Sequence, residues 1–354
     1  MKTTLDDMIH YYKILYVFII MTIVPFTITA QQLPQYSQYM MNPYLINPAV
    51  SGIEDYTDVK TGYRNQWIST DGSPTTYYLT AHTAIGKPDR TSTGATPYMS
   101  KSIRRSPELS RRYKGTPRVP AHHGIGFSIV SDQIGAISEL SLALSYALHT
   151  PLSGRLKLAF GASLGASQYK FDLSNLSVKT NPDPALGATD KLVAWQPALN
   201  VGTWLYSRNF YIGASANRML FDSYNYNVQG TGTYSWTGKV FPHYFLATGF
   251  RVDVGENWTI SPSALVKKVN QAPLAIDGNM KAIYKDRFWF GGSYRHKDAV
   301  VGLLGVNINS MLNIGYSYDF TISDLAVSSR GSHEIVVGLM IGNRHKILCP
   351  QNLW

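Results

Sequence analysis

Residue types able to do covalent or metal chemistry are present in this chain, but their spacing selects no reaction. There is one Cys, Cys349, near the C-terminal end, so a disulfide scaffold and any multi-cysteine zinc or iron–sulfur site are excluded. No Gly-x-x-x-x-Gly-Lys and no His-Glu-x-x-His occurs. Gly124-Ile125-Gly126 is followed by a strand pattern and not by a helix, so it reads as small residues on one face of a strand. His122-His123 has metal-ligating atoms, but no carboxylate or Cys stands near it in sequence. His243, His333 and the many Ser residues would permit the Ser–His pair of a barrel hydrolase, and no spacing picks one out. The expectation is a protein with no catalytic residues, no metal and no cofactor.

Two segments carry binding chemistry instead. The first is Gln35–Pro48, whose Asn42-Pro43 and Asn47-Pro48 pairs forbid a regular helix or central strand, because proline removes a donor and restricts the residue before it. Such a stiff, aromatic, polar element suits lining or plugging a lumen, docking a periplasmic partner, or tethering the chain to its first strand. Its candidate partner-binding residues are Gln38, Tyr39, Asn42, Pro43, Asn47 and Pro48. The second runs from Lys87 to Arg118 and holds nine basic residues against Asp89 and Glu108, a net +7 out of the chain's +10. Arg104, Arg105, Arg111 and Arg112 are its candidate contacts. A solvated linker, an acidic partner and anionic headgroups all fit that charge. Nucleic acid does not, for the segment has few aromatic residues on which bases could stack.

The elements that must position these segments are strands. Over 354 residues, 44% are hydrophobic and only 15% charged, with 24 Tyr and 29 Gly. An ordinary soluble domain holds about 25% charged residues, and a disordered chain is richer in charge and poorer in aromatics. Residues 1–30 read as an export signal: Lys2 and Lys13, an apolar run from Ile14 to Phe26, then Thr27-Ile28-Thr29-Ala30 before Gln31. Beyond it no run of about 18 apolar residues would make a spanning helix. Period-two alternation dominates. Leu312, Ile314, Tyr316, Tyr318 and Phe320 share one face, with Asn313, Gly315, Ser317 and Asp319 on the other. Ile335, Val337, Leu339 and Ile341 likewise alternate with Glu334, Val336, Gly338 and Met340.

The pattern predicts an all-β protein, a transmembrane antiparallel β-barrel of about 14 strands, with an apolar outer and a polar or small inner face. Its strands begin near residues 58, 75, 123, 138, 154, 194, 209, 241, 258, 274, 287, 299, 312 and 331. Tight turns follow mainly the even-numbered strands, which puts both termini and the basic connection on the periplasmic side. Trp67, Tyr77, Tyr169, Trp204, Tyr211, Trp258, Trp289 and Tyr294 are expected in aromatic girdles. The expected division is a signal at 1–30, an Asn-Pro segment in the lumen or periplasm at 31–57, a barrel at 58–342 with a basic insertion at 87–118, and a tail at 343–354.

The stretch Gln35–Gly52, read as Gln-Tyr-Ser-Gln-Tyr-Met-Met-Asn-Pro-Tyr-Leu-Ile-Asn-Pro-Ala-Val-Ser-Gly, resembles the mature start of the PorP/SprF family, outer-membrane proteins of the Bacteroidetes type IX secretion system. Tyr63-Arg64-Asn65-Gln66-Trp67, Gly72–Tyr77, Asp132-Gln133-Ile134-Gly135, Gly315–Asp319 and Gly331–Ile335 are similar to later blocks of that family, in the same order. The basic segment has no counterpart among these blocks and reads as an insertion. The resemblance implies a non-enzymatic outer-membrane barrel that meets membrane lipid. It would serve as a platform between periplasmic secretion components, a peptidoglycan-binding lipoprotein among them, and a secreted surface protein such as a gliding adhesin. The alternative from another class is a passive or ligand-selective pore.

Overall fold

Residues of alternating character cannot bury both faces in a single soluble core, and a closed sheet resolves the conflict by giving one face to lipid and one to a lumen. A computed structural model shows this arrangement. It describes residues 33–87, 121–153, 156–173, 191–220, 223–226, 236–270, 272–327 and 329–343. The strands are β1 (Thr57–Asn65), β2 (Thr75–Ile85), β3 (His122–Ile134), β4 (Ile137–Ser153), β5 (Leu156–Asp172), β6 (Lys191–Tyr206) and β7 (Phe210–Asn217). A separate small hairpin follows, β8 (Ser223–Tyr226) with β9 (Trp236–Lys239). Then come β10 (His243–Phe250), β11 (Val252–Val254), β12 (Trp258–Val269), β13 (Ala275–Tyr284), β14 (Phe288–Arg295), β15 (Ala299–Asn307), β16 (Leu312–Thr321) and β17 (Ser332–Ile341).

Each barrel strand pairs antiparallel with the next, and β1 pairs with β17 to close the ring. The β8–β9 hairpin stands outside the ring, so β7 pairs directly with β10. β11 continues the path of β10 past Arg251 and pairs with the same neighbour, β12, so the barrel has 14 strands, as the alternation predicted. The wall is uneven. β4 and β5 have 17 residues each and β6 has 16, while β7, β10 and β14 have 8.

The alternating faces fall as expected. In β16, Asn313, Gly315, Ser317 and Asp319 are buried toward the lumen while Leu312, Ile314, Tyr316 and Tyr318 face out. Leu144 and Leu164, opposite one another on β4 and β5, are 67% and 64% exposed, and a bilayer is the solvent such a surface requires. Exposed aromatics form a band at each end. Tyr77, Trp195, Tyr244, Tyr294 and Phe320 lie toward the end where β1 joins β2 and β16 joins β17, hereafter the loop end. Phe160, Phe250, Trp258 and Phe288 lie toward the opposite, turn end, where β1 starts and β17 finishes.

Four residues expected in the girdles are elsewhere. Tyr169, Trp204, Tyr211 and Trp289 are buried on the inner face, and Trp204 stacks on Tyr211 with ring centroids 4.7 Å apart. Aromatic character does not fix a face; position in the two-residue repeat does, and each of these has the inward parity. Trp67 lies in the connection between β1 and β2.

A charge on the outer wall tests the lipid-facing assignment. Leu144→Arg should destabilise the folded barrel by about 2–4 kcal/mol, the cost of a cation near the bilayer midplane. Val327→Arg, at a side chain 97% exposed in the β16–β17 connection, should change stability little. Denaturant unfolding from lipid vesicles measures both, and equal effects would show that Leu144 does not face hydrocarbon.

Candidate functional site: a lumen occupied by the chain's own N-terminal segment

The sequence places two prolines five residues apart, and the backbone answers with two single 3-10 turns, Pro43–Leu45 and Pro48–Val50, each opening on proline. A proline loses nothing at that position, where its missing N–H has no partner in the turn. The side chain of Asn47 accepts a hydrogen bond from Ala49 N at 2.9 Å and so caps the second turn. These turns shorten the segment into a compact strap. It enters at the loop end, where Leu33 N donates to His243 Nε2 at 3.1 Å. It crosses the lumen and leaves at the turn end, where Ile53 O accepts from Lys87 Nζ at 2.8 Å, and then becomes β1.

The strap and the wall together make the larger of two buried apolar clusters. Tyr39, Tyr44, Ile46, Ala49, Val50 and Ile53 are buried against inward-facing Ala159, Trp204, Tyr206, Tyr211, Ile283, Trp289 and Val301 of the wall. Close approach depends on glycine where the strap runs over the wall. A Cβ on Gly161 would lie 2.3 Å from Ala49 N, and one on Gly124 would lie 1.8 Å from Ser51 O. Gly124 therefore has a specific role on the inner face: it admits the strap backbone.

Side-chain donors of the strap find partners on the wall, while the amide oxygens of Gln38 and Asn42 have none among the described residues. Gln38 Nε2 donates to Glu334 O at 3.0 Å, Asn42 Nδ2 to Thr80 Oγ1 at 2.9 Å, and Asn47 Nδ2 to Thr203 O at 3.0 Å. Asn279 Nδ2 donates to the hydroxyl of Tyr39, and Tyr44 shares a hydrogen bond of 2.8 Å with Ser145. Ser215 Oγ donates to Ile46 O at 2.6 Å. Desolvation lowers the Lys87 ammonium to about 7, with Glu54 opposing the shift.

Two clusters fasten the strap's ends. At the loop end the hydroxyl of Ser37 donates to Asp319 Oδ2 at 2.7 Å and accepts from Arg64 Nη1 at 2.8 Å and Arg295 Nη2 at 3.2 Å. Arg64 also bridges Asp319 at 2.8 Å and Glu334 at 3.0 Å, and Ser37 N donates to Glu334 Oε2 at 2.7 Å. At the turn end three histidines hold two peptide units. His149 Nε2 and His122 Nε2 meet Ser51 O and Gly52 O at 2.7 and 3.2 Å, while Gly52 N donates to His82 Nδ1 at 3.3 Å. His122 stacks on His149, and its neighbour His123 points outward to Tyr146 OH, so His122-His123 does not act as a pair. His243 accepts from Leu33 N and its Nδ1 lies 2.9 Å from Phe241 O, so both its nitrogens are engaged.

Of the sequence-derived candidates, Gln38, Tyr39, Asn42, Pro43, Asn47 and Pro48 are thus brought together inside the lumen. Arg104, Arg105, Arg111 and Arg112 lie outside the described residues. Sequence reasoning did not single out Ser37, Arg64, Arg295, His82 or His149, and it weighed His122 only as half of a metal-ligating pair with His123. The available signal was parity: Arg64, Asp319 and Glu334 are charges at inward positions of apolar strands, and a buried charge requires a partner.

Removing one member of the Ser37 cluster should be costly. Arg64→Ala leaves two buried carboxylates without their principal cation and should lower stability by about 3–5 kcal/mol. Arg64→Lys, a point charge unable to bridge both, should retain only part. Unfolding midpoints in vesicles read this; a change within about 0.5 kcal/mol for Arg64→Ala, as for ordinary surface substitutions, would refute the fastening role.

Among solved structures, the chain is similar to the outer membrane protein Omp33 of Acinetobacter baumannii, at 10% identity and TM-score 0.44, over 82% of this chain and 100% of that one. It is also similar to the Ralstonia pickettii toluene transporter TbuX, at 11% identity and TM-score 0.45, over 88% of this chain and 95% of the other. The translocator domain of the Neisseria meningitidis autotransporter NalP matches at 8% identity and TM-score 0.41, over 80% and 87%. No curated protein sequence matches the chain. The family model of the type IX secretion system membrane protein PorP/SprF matches residues 28–339, and the chain belongs to that family.

Proposed function

We propose that this protein is a non-enzymatic outer-membrane platform of the type IX secretion system, exported by a signal at residues 1–30. It links periplasmic components, a peptidoglycan-binding lipoprotein among them, with a secreted surface protein such as a gliding adhesin of a Bacteroidetes cell. One observation carries this reading: the lumen holds the chain's own N-terminal strap, fastened at both ends and packed as a core. A conduit for bulk solute needs an open lumen, whereas a platform needs a rigid one. The functional surfaces are then the connections. The long connection between β2 and β3 begins at the turn end, and its basic residues would attract an acidic periplasmic partner through a field that salt screens.

Two measurements test the proposal. In planar bilayers the protein should show no stable conductance of porin size, while Gly161→Leu, which displaces the strap backbone, should raise conductance. A stable wide channel in the unaltered protein would favour the rival pore. Deleting residues 103–116 should leave a folded, inserted barrel but weaken copurification of periplasmic partners from native membranes at low salt. Unchanged recovery would remove the basic segment from the docking surface.

A further inference from the structure

The strap fills only part of the lumen. Between it and the wall of β3–β7, β10, β12 and β13 lies a cavity of about 120 Å³. A water molecule needs about 10–15 Å³ by this measure, so the cavity has room for on the order of ten water-sized groups. Ile46 and Pro48 floor it near mid-lumen, and it rises to Asp132, Glu139 and Arg218 at the loop end. The strap therefore separates this space from the turn end.

Its two sides differ in chemistry. The strap side presents the rings of Tyr36, Tyr39 and Tyr44, with Phe245 and Leu265 alongside. The opposite wall presents hydroxyls and amides: Ser128, Ser141, Ser163, Ser167 and Asn200. These are ordered among themselves. Ser141 and Ser167 share a hydrogen bond of 2.6 Å, and Asn200 Nδ2 donates to Ser163 Oγ at 2.8 Å. Each hydroxyl keeps further hydrogen-bonding capacity. Lys267 lines the same space, and its ammonium has no hydrogen-bond partner among the described residues.

The charges oppose an ionic ligand. Arg218 pairs with Glu139, Arg295 pairs with Asp277, and Asp132 accepts from Thr76 Oγ1 at 2.6 Å. An anion reaching Lys267 would also meet these three carboxylates. A hydrocarbon would leave the remaining hydrogen-bonding capacity of the serine and asparagine wall, and the donors of Lys267, unused on burial, which disfavours it. What fits is a neutral molecule with an apolar face and a hydroxylated edge. We propose that this cavity is a binding site for a neutral, polyhydroxylated ligand of monosaccharide size, entered from the loop end. Its ring lies against the tyrosines and its hydroxyls engage the serine wall and Lys267.

Titration calorimetry on the full chain, in an amine-oxide detergent without sugar headgroups, tests this with glucose, N-acetylglucosamine, hexanoate and toluene as probes. Saturable binding of at least one sugar, with neither hexanoate nor toluene bound more tightly, is the expected result. Ser141→Leu/Ser167→Leu, and separately Ser163→Leu, fill the cavity and should weaken that binding at least about tenfold, the loss of roughly one good hydrogen bond to a ligand. Lys267→Met should weaken it while leaving the wall intact. Each variant is read only if it keeps the gel mobility of the folded barrel. Absence of saturable sugar binding by the unaltered protein, tighter binding of hexanoate or toluene, or sugar binding indifferent to every folded variant would overturn the proposal.

Discussion

The constraint on which the rest depends is the width of the ring. Eight strands enclose a space that inward side chains can fill by themselves, and sixteen or more leave a water channel. Fourteen strands lie between. The inner wall here mixes Ser, Asn, Gly and Ala with large residues such as Trp204, Tyr206 and Trp289, and it leaves space that the strap occupies. The chain supplies what is missing from its own N-terminal segment, so the larger apolar core of this membrane protein is made between strap and wall, beside a smaller cluster of Tyr169, Leu173, Leu192, Ala194 and Val240. The glycines of the inner face, the Asn-Pro turns and the buried ion cluster all follow from seating one irregular segment in a cylinder of paired backbone.

An irregular segment at membrane depth brings its own difficulty, because its backbone groups are not paired by a ladder. Such a backbone is tolerated only where protein buries it and partners replace water. The two 3-10 turns satisfy some of these groups internally, through bonds such as Ile46 N to Pro43 O at 3.1 Å. Side chains of the wall partner others, and this explains the otherwise odd presence of His82, His122, His149, His243 and Glu334 facing the lumen. Burying ions is unfavourable unless each is matched, and the Ser37 cluster matches two carboxylates with two guanidinium groups around one hydroxyl.

The barrel was legible in the sequence because period-two alternation survives in nearly every strand; lipid and lumen impose it locally, residue by residue. Starts near 75, 123, 258, 299 and 312 fell within one residue of β2, β3, β12, β15 and β16. The strap was legible in part. Asn42-Pro43 and Asn47-Pro48 declared an irregular, stiff element, and a lumen was one of the places open to it. Its partners were not legible, since Ser37 meets Asp319 and Glu334 across nearly 300 residues of chain, and only the closed ring brings them together. The same limit explains the misplaced aromatics. Trp204 and Trp289 look like girdle residues by type, and their inward direction follows from register, which no single residue reveals.

The route of the strap also has a consequence for how the protein is made. Its first described residue lies at one end of the barrel and β1 begins at the other, so the segment ahead of β1 occupies the space that the last strand encloses. The seam is β1 against β17, the pairing that joins the two extremes of the sequence. Once that seam is paired, a segment fastened inside by Arg64 and the clamp histidines has no lateral way in. Closure and seating are therefore one event, with very high contact order and a correspondingly slow final step. Until β17 arrives, β1 is an unpaired edge and the strap an exposed apolar segment. A barrel of this design is most vulnerable to holding and degradation factors while it lacks its last strand.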